Sequence, residues 1–184
     1  MRRVVRQLEN TLIVYTSDHG LAVGGLHGLM GKQNLYEHNK APLIFAGPGI
    51  RPGKSDALVY LYDLYPTLCA YAGFPIPEKA DGRSLMPVLR GEKASVRDTL
   101  FCAYRDCQRM IRDARWKLIE YRTAGGRNTQ LFDLAKDPDE LTNLAHDPAH
   151  ASELKKLRGQ MAEARRENAD PVDWDSDPAP KSGK

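Results

Sequence analysis

At 184 residues the chain has the size of one domain, or of a piece of a larger one. Its 41% hydrophobic and 28% charged residues suffice for a core and exclude collagen-like, low-complexity and wholly disordered readings. The net charge of +3 is too small to point to nucleic acid or a membrane surface, and no apolar stretch reaches the roughly 18 residues of a membrane span.

Arg2, Arg3 and Arg6 are not followed by an apolar segment long enough for a signal peptide, which leaves the compartment open between cytoplasm and periplasm. Val4, Val5 and Leu8 are spaced like the last turns of a helix. Thr11 to Thr16 is a short β-branched and apolar run without alternation. Such a run predicts a strand covered on both faces, as in a parallel sheet. The strand stops at Ser17-Asp18-His19-Gly20. The segment from Gly20 to Lys40 follows, rich in glycine, with no period of 2 or 3.6. A loop of that length between two good strands reads as functional. Pro42 to Ala46 is the second apolar run.

Asp63 to Ala72 predicts a helix with Asp63 as N-cap, Pro66 in the first turn and Gly73 as the stop. Asp81 to Gly91 predicts a short helical turn closed by glycine. Four short strands are expected at Leu100 to Tyr104, Arg109 to Arg112, Trp116 to Tyr121 and Gln130 to Leu134, joined as an antiparallel meander. Asp137 to Leu144 is rich in turn residues. Leu154, Leu157, Met161 and Ala164 give residues 150–168 the stripe of an amphipathic helix. Residues 170–184 are expected as a frayed tail. Arg83, Arg105, Arg109, Arg112, Arg115 and Arg122 are expected on a solvated face. Cys69, Cys102 and Cys107 form no CxxC and read as unreactive thiols.

Chemistry concentrates at Asp18 and His19. In open α/β sheets ligands bind outside the carboxyl ends of the strands. A carboxylate beside an imidazole offers a hard and a borderline donor to a divalent cation. Gly20 lets the backbone turn away at once, so that both side chains can face one crevice. Lys32 follows Gly31 and is placed to meet an anion as a point charge. His27 can donate to an anionic oxygen or act as an acid toward a leaving group. Taken singly, these are a loop cap, surface histidines and a solvated lysine. Together with Glu37 and His38 they share one loop beside one candidate cation site.

These residues form a recognisable set. Ser17-Asp18-His19-Gly20, Leu26-His27-Gly28-Leu29-Met30-Gly31-Lys32, Tyr36-Glu37-His38 and Ala41 to Ile50 resemble the C-terminal half of the type I sulfatases, in that family's order and spacing. Asp63-Leu64-Tyr65-Pro66-Thr67 is similar to its D-x-x-P-T helix, and Asp81-Gly82-Arg83-Ser84-Leu85 to its D-G-x-S-L turn. Trp116 to Ile119 and Leu131 to Glu140 resemble its small C-terminal subdomain. The resemblance implies an α/β fold, the C-terminal part of an alkaline-phosphatase-like mixed sheet flanked by helices, plus a small antiparallel sheet with one long helix. The expected division is residues 1–95, 96–169 and a disordered 170–184.

By the same resemblance, Asp18 and His19 belong to a calcium site, with another divalent cation possible because His19 stands where many members have Asn and calcium prefers oxygen. Lys32 and His27 would be catalytic, and Lys32, His27 and His38 would contact substrate. The partner implied is a sulfated small molecule or glycan, with no nucleic acid and no membrane. The family's nucleophile is a formylglycine made from Cys or Ser in a C/S-x-P-S/A-R motif. No cysteine of this chain has proline two positions on, and the family's two upstream acidic ligands are missing as well. The chain therefore reads as a C-terminal fragment of a sulfuric ester hydrolase, inactive alone, whose possible partner is the missing N-terminal half. A phosphodiesterase or phosphonate monoester hydrolase of the same superfamily is the alternative, and a truncated non-catalytic product the third reading.

Overall fold

The computed structural model describes residues 7–20, 22–23, 30–31, 40–123 and 125–174. They fall into two compact units, one made of residues up to 20 together with 40–98, the other of 22–31 together with 99–174. The architecture is α/β, with small antiparallel sheets and a long C-terminal helix. Among the described residues, no helix is long and apolar enough to cross a membrane.

In the first unit, β1 (Ile13–Thr16) pairs with β4 (Leu43–Ala46). The pairing is antiparallel, with Ile13 opposite Ala46 and Tyr15 opposite Ile44. The sequence reads β1 as a strand of a parallel sheet covered on both faces, whereas its partner here is antiparallel and one face is exposed. Side chains alternate across the ribbon, and one face leaves Ile13, Tyr15 and Ile44 at 44%, 61% and 57% exposure. Two adjacent β-branched runs look alike whether they pair parallel or antiparallel, because the partner's direction is not written in either one. Gly47 ends β4 at φ +151°, where a Cβ would stand 2.7 Å from the Thr11 carbonyl oxygen, so glycine lets the ribbon close at this corner. Inside the glycine-rich segment, β2 (Ala22–Val23) and β3 (Met30–Gly31) pair antiparallel. Residues 8–10 form a single 3-10 turn where the end of a helix is expected.

Helix α1 (Leu64–Tyr71) forms where the sequence predicts it. Its C-terminus is a two-bond Schellman stop. Phe74 N–H donates to Cys69 O at 2.9 Å, and Gly73 N–H donates to Ala70 O at 3.4 Å with Gly73 at φ +75°. The N-terminus differs from the expectation. Asp63 does not cap α1 with its side chain. Its carboxylate is fully buried and accepts from Tyr60 N–H at 2.7 Å, from Arg83 N–H at 2.8 Å and from both terminal nitrogens of Arg97, the Nη2 contact at 2.6 Å. Arg97 also donates to Leu58 O at 3.0 Å and lies over the Tyr60 ring at 4.7 Å.

Thr67, one turn on, completes the arrangement. Its hydroxyl donates to Asp63 O at 2.6 Å and accepts from Leu85 N–H at 2.8 Å. Gly82 lies so close that a Cβ would meet Tyr62 O at 2.5 Å and Asp63 Cα at 3.0 Å. The D-x-x-P-T and D-G-x-S-L motifs are thus two sides of one buried polar lock. The short helix α2 (Met86–Leu89) follows it and ends at Gly91, φ +74°.

The second unit contains a four-stranded meander of β5 (Leu100–Tyr104), β6 (Gln108–Arg112), β7 (Trp116–Thr123) and β8 (Gly126–Asp133). The last hairpin is longer than expected, because the pairing runs out to Thr123 opposite Gly126. Helix α3 (Ala151–Glu167) lays Leu157, Met161 and Ala164 on Ile111, Trp116, Leu118 and Leu131. The opposite face of the sheet clusters Met110, Ile119 and Phe132. It also carries Lys117, whose ammonium donates to the Glu140 carboxylate at 2.9 Å with both groups buried. This contact ties the Trp116-Lys117-Leu118-Ile119 strand to the Asp137-Pro138-Asp139-Glu140 turn. The three cysteines are free, and burial pushes the Cys102 thiol up to about 11, which disfavours its thiolate.

At the C-terminal end Asp170 and Trp174 pack on Arg109, and residues 175–184 lie outside the described residues. Arg109 is not solvated but 1% exposed, because strand alternation turns it toward α3. Asp170 reaches it there with a two-bond grip at 2.7 and 2.8 Å, and also accepts from Arg165 Nε at 3.0 Å. Trp174 covers Arg109 at 4.8 Å. Arg115 stays half exposed while Asp133 holds it at 2.7 and 2.9 Å.

Removing Asp63 strands the Arg97 guanidinium and two backbone N–H groups. Asp63→Ala should therefore cost about 3–5 kcal/mol. Thr67→Val, which orphans one N–H, should cost about 1–3 kcal/mol. Urea unfolding followed by circular dichroism checks both the values and their order.

The Arg109 bond holds the Asp170 carboxyl down at about 2, below its ordinary 3.8. A carboxyl depressed in the folded state stabilises the fold above its unfolded value and loses that contribution as pH falls toward its folded one. Asp170→Asn should thus melt lower than the parent chain at pH 7, and the gap between the two melting temperatures should close as pH falls from about 4 to about 2.

Candidate active site

The end of β1 positions the candidate site. Thr16 is the last paired residue, opposite Leu43, and the chain then turns through Ser17, Asp18, His19 and Gly20. The turn is tied locally. Ser17 Oγ–H donates to His19 O at 2.9 Å, and His19 N–H donates to Asp18 Oδ1 at 3.0 Å. The histidine ring bends back so that Nδ1 lies 2.8 Å from Gly20 O.

That last contact decides the tautomer. A carbonyl oxygen only accepts, so Nδ1 carries the proton and, in the neutral ring, Nε2 carries the lone pair. Nε2 faces Asp18 Oδ2 at 3.5 Å. A lone pair and a carboxylate oxygen at that distance repel one another unless a proton or a cation lies between them. Two donor atoms 3.5 Å apart also suit a single ion with bonds of roughly 2.0–2.6 Å. Both side chains are accessible, with 82% exposure for Asp18 and 41% for His19. The backbone carbonyl on the second ring nitrogen is the kind of outer partner that orients a metal-binding histidine. The pair thus fits a divalent cation. Among the described residues, no group of three or more His, Cys, Asp or Glu gathers at metal-binding distance.

Asp18 and His19, neighbours in the chain, face each other at 3.5 Å. Lys32, His27 and His38, with Glu37, lie outside the described residues. Two polar contacts escaped the sequence reading although signals for them exist. Lys117 stands between Trp116 and Leu118 in a strand whose neighbours are all buried, which calls for a buried counter-charge, and Glu140 supplies it at φ +59°. Asp63 lies next to a helix start and takes the form of a cap. Only the register of the loop carrying Arg83 and of the later Arg97 shows that its carboxylate is spent elsewhere.

Comparison with known proteins adds a family and a frame. A family model described as N-sulphoglucosamine sulphohydrolase, C-terminal, matches residues 25–167. Arylsulfatase K of Rattus norvegicus is 36% identical over 154 residues, which cover 75% of this chain and 27% of the relative. The chain therefore spans little more than a quarter of the length of the curated relatives of that name. A protein solved in complex with its substrate D-glucosamine-2-N,6-O-disulfate superposes with a TM-score of 0.82 at 30% identity, over 92% of this chain and 37% of that one. The phosphonate monoester hydrolase of Agrobacterium radiobacter superposes with a TM-score of 0.70 at 29% identity, over 90% of this chain and 38% of that one.

Proposed function

Since the chain belongs to the sulfatase family, in the C-terminal region described for N-sulphoglucosamine sulphohydrolase, we propose that it supplies the C-terminal share of a sulfuric ester hydrolase site. The observation that carries this reading is the Asp18–His19 pair, two lone-pair donors facing each other at the carboxyl end of a strand. Asp18 Oδ2 and His19 Nε2 would hold a divalent cation, calcium being the first candidate. When bound, such an ion neutralises charge on the sulfate oxygens.

In this reading Lys32 sets its ammonium against the same oxyanion, as a point charge whose value lies in being in place before charge develops. His27 binds the ester oxygen and returns a proton to the departing alcohol, and His38 helps to orient the substrate. The nucleophile, a formylglycine, belongs to the N-terminal part of such enzymes, and this chain carries no motif for it. The 184-residue chain alone is thus inactive and needs that part as its partner. The substrate class is a sulfated small molecule or glycan. The solved relative with a disulfated glucosamine substrate supports the glycan. The likeness to a phosphonate monoester hydrolase supports the second reading, hydrolysis of a phosphorus ester at a transition-metal site.

The test is complementation. The chain alone should not turn over an aryl sulfate. Co-purified with the complementary N-terminal part of a sulfatase bearing the formylglycine motif, it should do so. In that complex Asp18→Asn and Lys32→Ala should each lower kcat by about 10²–10³. Turnover by the isolated chain, or full activity of both variants, would sink the proposal. Metal analysis of the complex separates the two chemistries, with calcium expected for the sulfate ester and zinc or manganese for the phosphorus ester.

A further inference from the structure

Away from the Asp18 turn, the second unit has a cavity of about 330 Å³ between α3 and the β7–β8 hairpin. Its polar walls are Arg127, Arg158, Arg165, Glu120 and Thr129, and Trp174 closes one side. Three guanidiniums and the Glu120 carboxylate line the cavity, while Asp170 beside it is shared by Arg165 and Arg109, and Arg127 donates Nη2 to Trp174 O at 2.6 Å. The Glu120 carboxylate is already committed, because it accepts from Arg158 Nε at 2.8 Å on one oxygen and from the Thr129 hydroxyl at 3.0 Å on the other.

The bonds that fix the arginines also set which edge of each is spent. Arg158 uses Nε on Glu120 and Nη2 on Thr129. Arg165 uses Nε on Asp170 at 3.0 Å and Nη2 on Val172 O at 2.8 Å. In both, Nε and Nη2 carry the protein bonds and Nη1 carries none of them. Two forks held in this way are preorganised for an anion, since binding need not freeze a free side chain. Arg158 and Arg165 stand seven residues apart on one face of α3, roughly 10 Å along the axis. A single sulfate or phosphate reaches one of them, whereas an extended chain with repeated negative groups reaches both.

We propose that this cavity is a second, non-catalytic binding site for a sulfated oligosaccharide, held by Arg158 and Arg165 with Arg127 at the rim. The assignment rests on the sulfatase reading for its choice of polyanion. A chain held there would be retained near the enzyme between turnovers, which raises its local concentration without any part in bond cleavage.

The experiment titrates the 184-residue chain with a heparin octasaccharide by calorimetry, beside its desulfated counterpart and inorganic sulfate. The octasaccharide should bind at least tenfold more tightly than either control and weaken as salt is raised. It should also shift the indole N–H resonance of Trp174 while leaving that of Trp116 in place. Arg158→Gln should weaken it roughly tenfold, the scale of one charge-assisted contact. Arg127→Gln, at the rim, should weaken it by a smaller factor and serves if the first variant does not fold. Loss of the Trp174 shift in Arg158→Gln reads this site alone, and turnover by the complemented complex reads the other, so failure of the hydrolytic reading and failure of this one are told apart. Equal affinity for inorganic sulfate or for the desulfated saccharide, or an unchanged affinity in the folded arginine variants, overturns the proposal.

Discussion

The first unit depends on one carboxylate. Asp63 is removed from water and holds two backbone N–H groups and the Arg97 guanidinium at once. A charge in that position is tolerable only when every oxygen lone pair has a donor, and here each oxygen has one backbone and one side-chain donor. The consequence is geometric. The loop carrying Arg83 and Leu85 cannot slide against α1 without breaking contacts on both sides. Gly82 marks where the two backbones touch. The second unit uses the same device twice, in Lys117 with Glu140 and Arg109 with Asp170. Each pair closes a segment of irregular chain onto a strand.

Much of this was legible beforehand. The meander, the helix ending near residue 168 and the glycine stop after α1 follow from periodicity and turn chemistry, which are local. What escaped is non-local. The antiparallel pairing of β1 with β4 depends on which strand finds which, and no run of four apolar residues encodes that. Arg109 looks like any solvated arginine until Asp170, sixty-one residues on, is known to return to it. Buried ion pairs are hard to read for a general reason. The sequence shows the charges but not the burial, and a charge is assumed wet until a partner is found for it.

The candidate site divides along the same line. That Asp18 and His19 sit together after a strand is readable from Ser17-Asp18-His19-Gly20. That Gly20 O fixes the ring tautomer and turns Nε2 toward Asp18 is a matter of backbone torsions, which the letters do not give. The loop residues proposed to meet substrate are argued from motif order, and the pair at the strand end is argued from atoms.

The ribbon of β1 and β4 also bears on how such a chain behaves in solution. Each strand has a single partner among the described residues, and the outward side bears Ile13, Tyr15 and Ile44. Helix α1 adds Tyr65 and Leu68 to the wet surface, with Leu61 one turn before them. Strand edges that meet no further strand among the described residues, next to exposed aliphatic and aromatic groups, are the ingredients of strand-by-strand accretion. For this polypeptide, staying dispersed at high concentration is thus a matter of capping: whatever lies along those edges first governs whether it remains a discrete particle or becomes the seed of a precipitate.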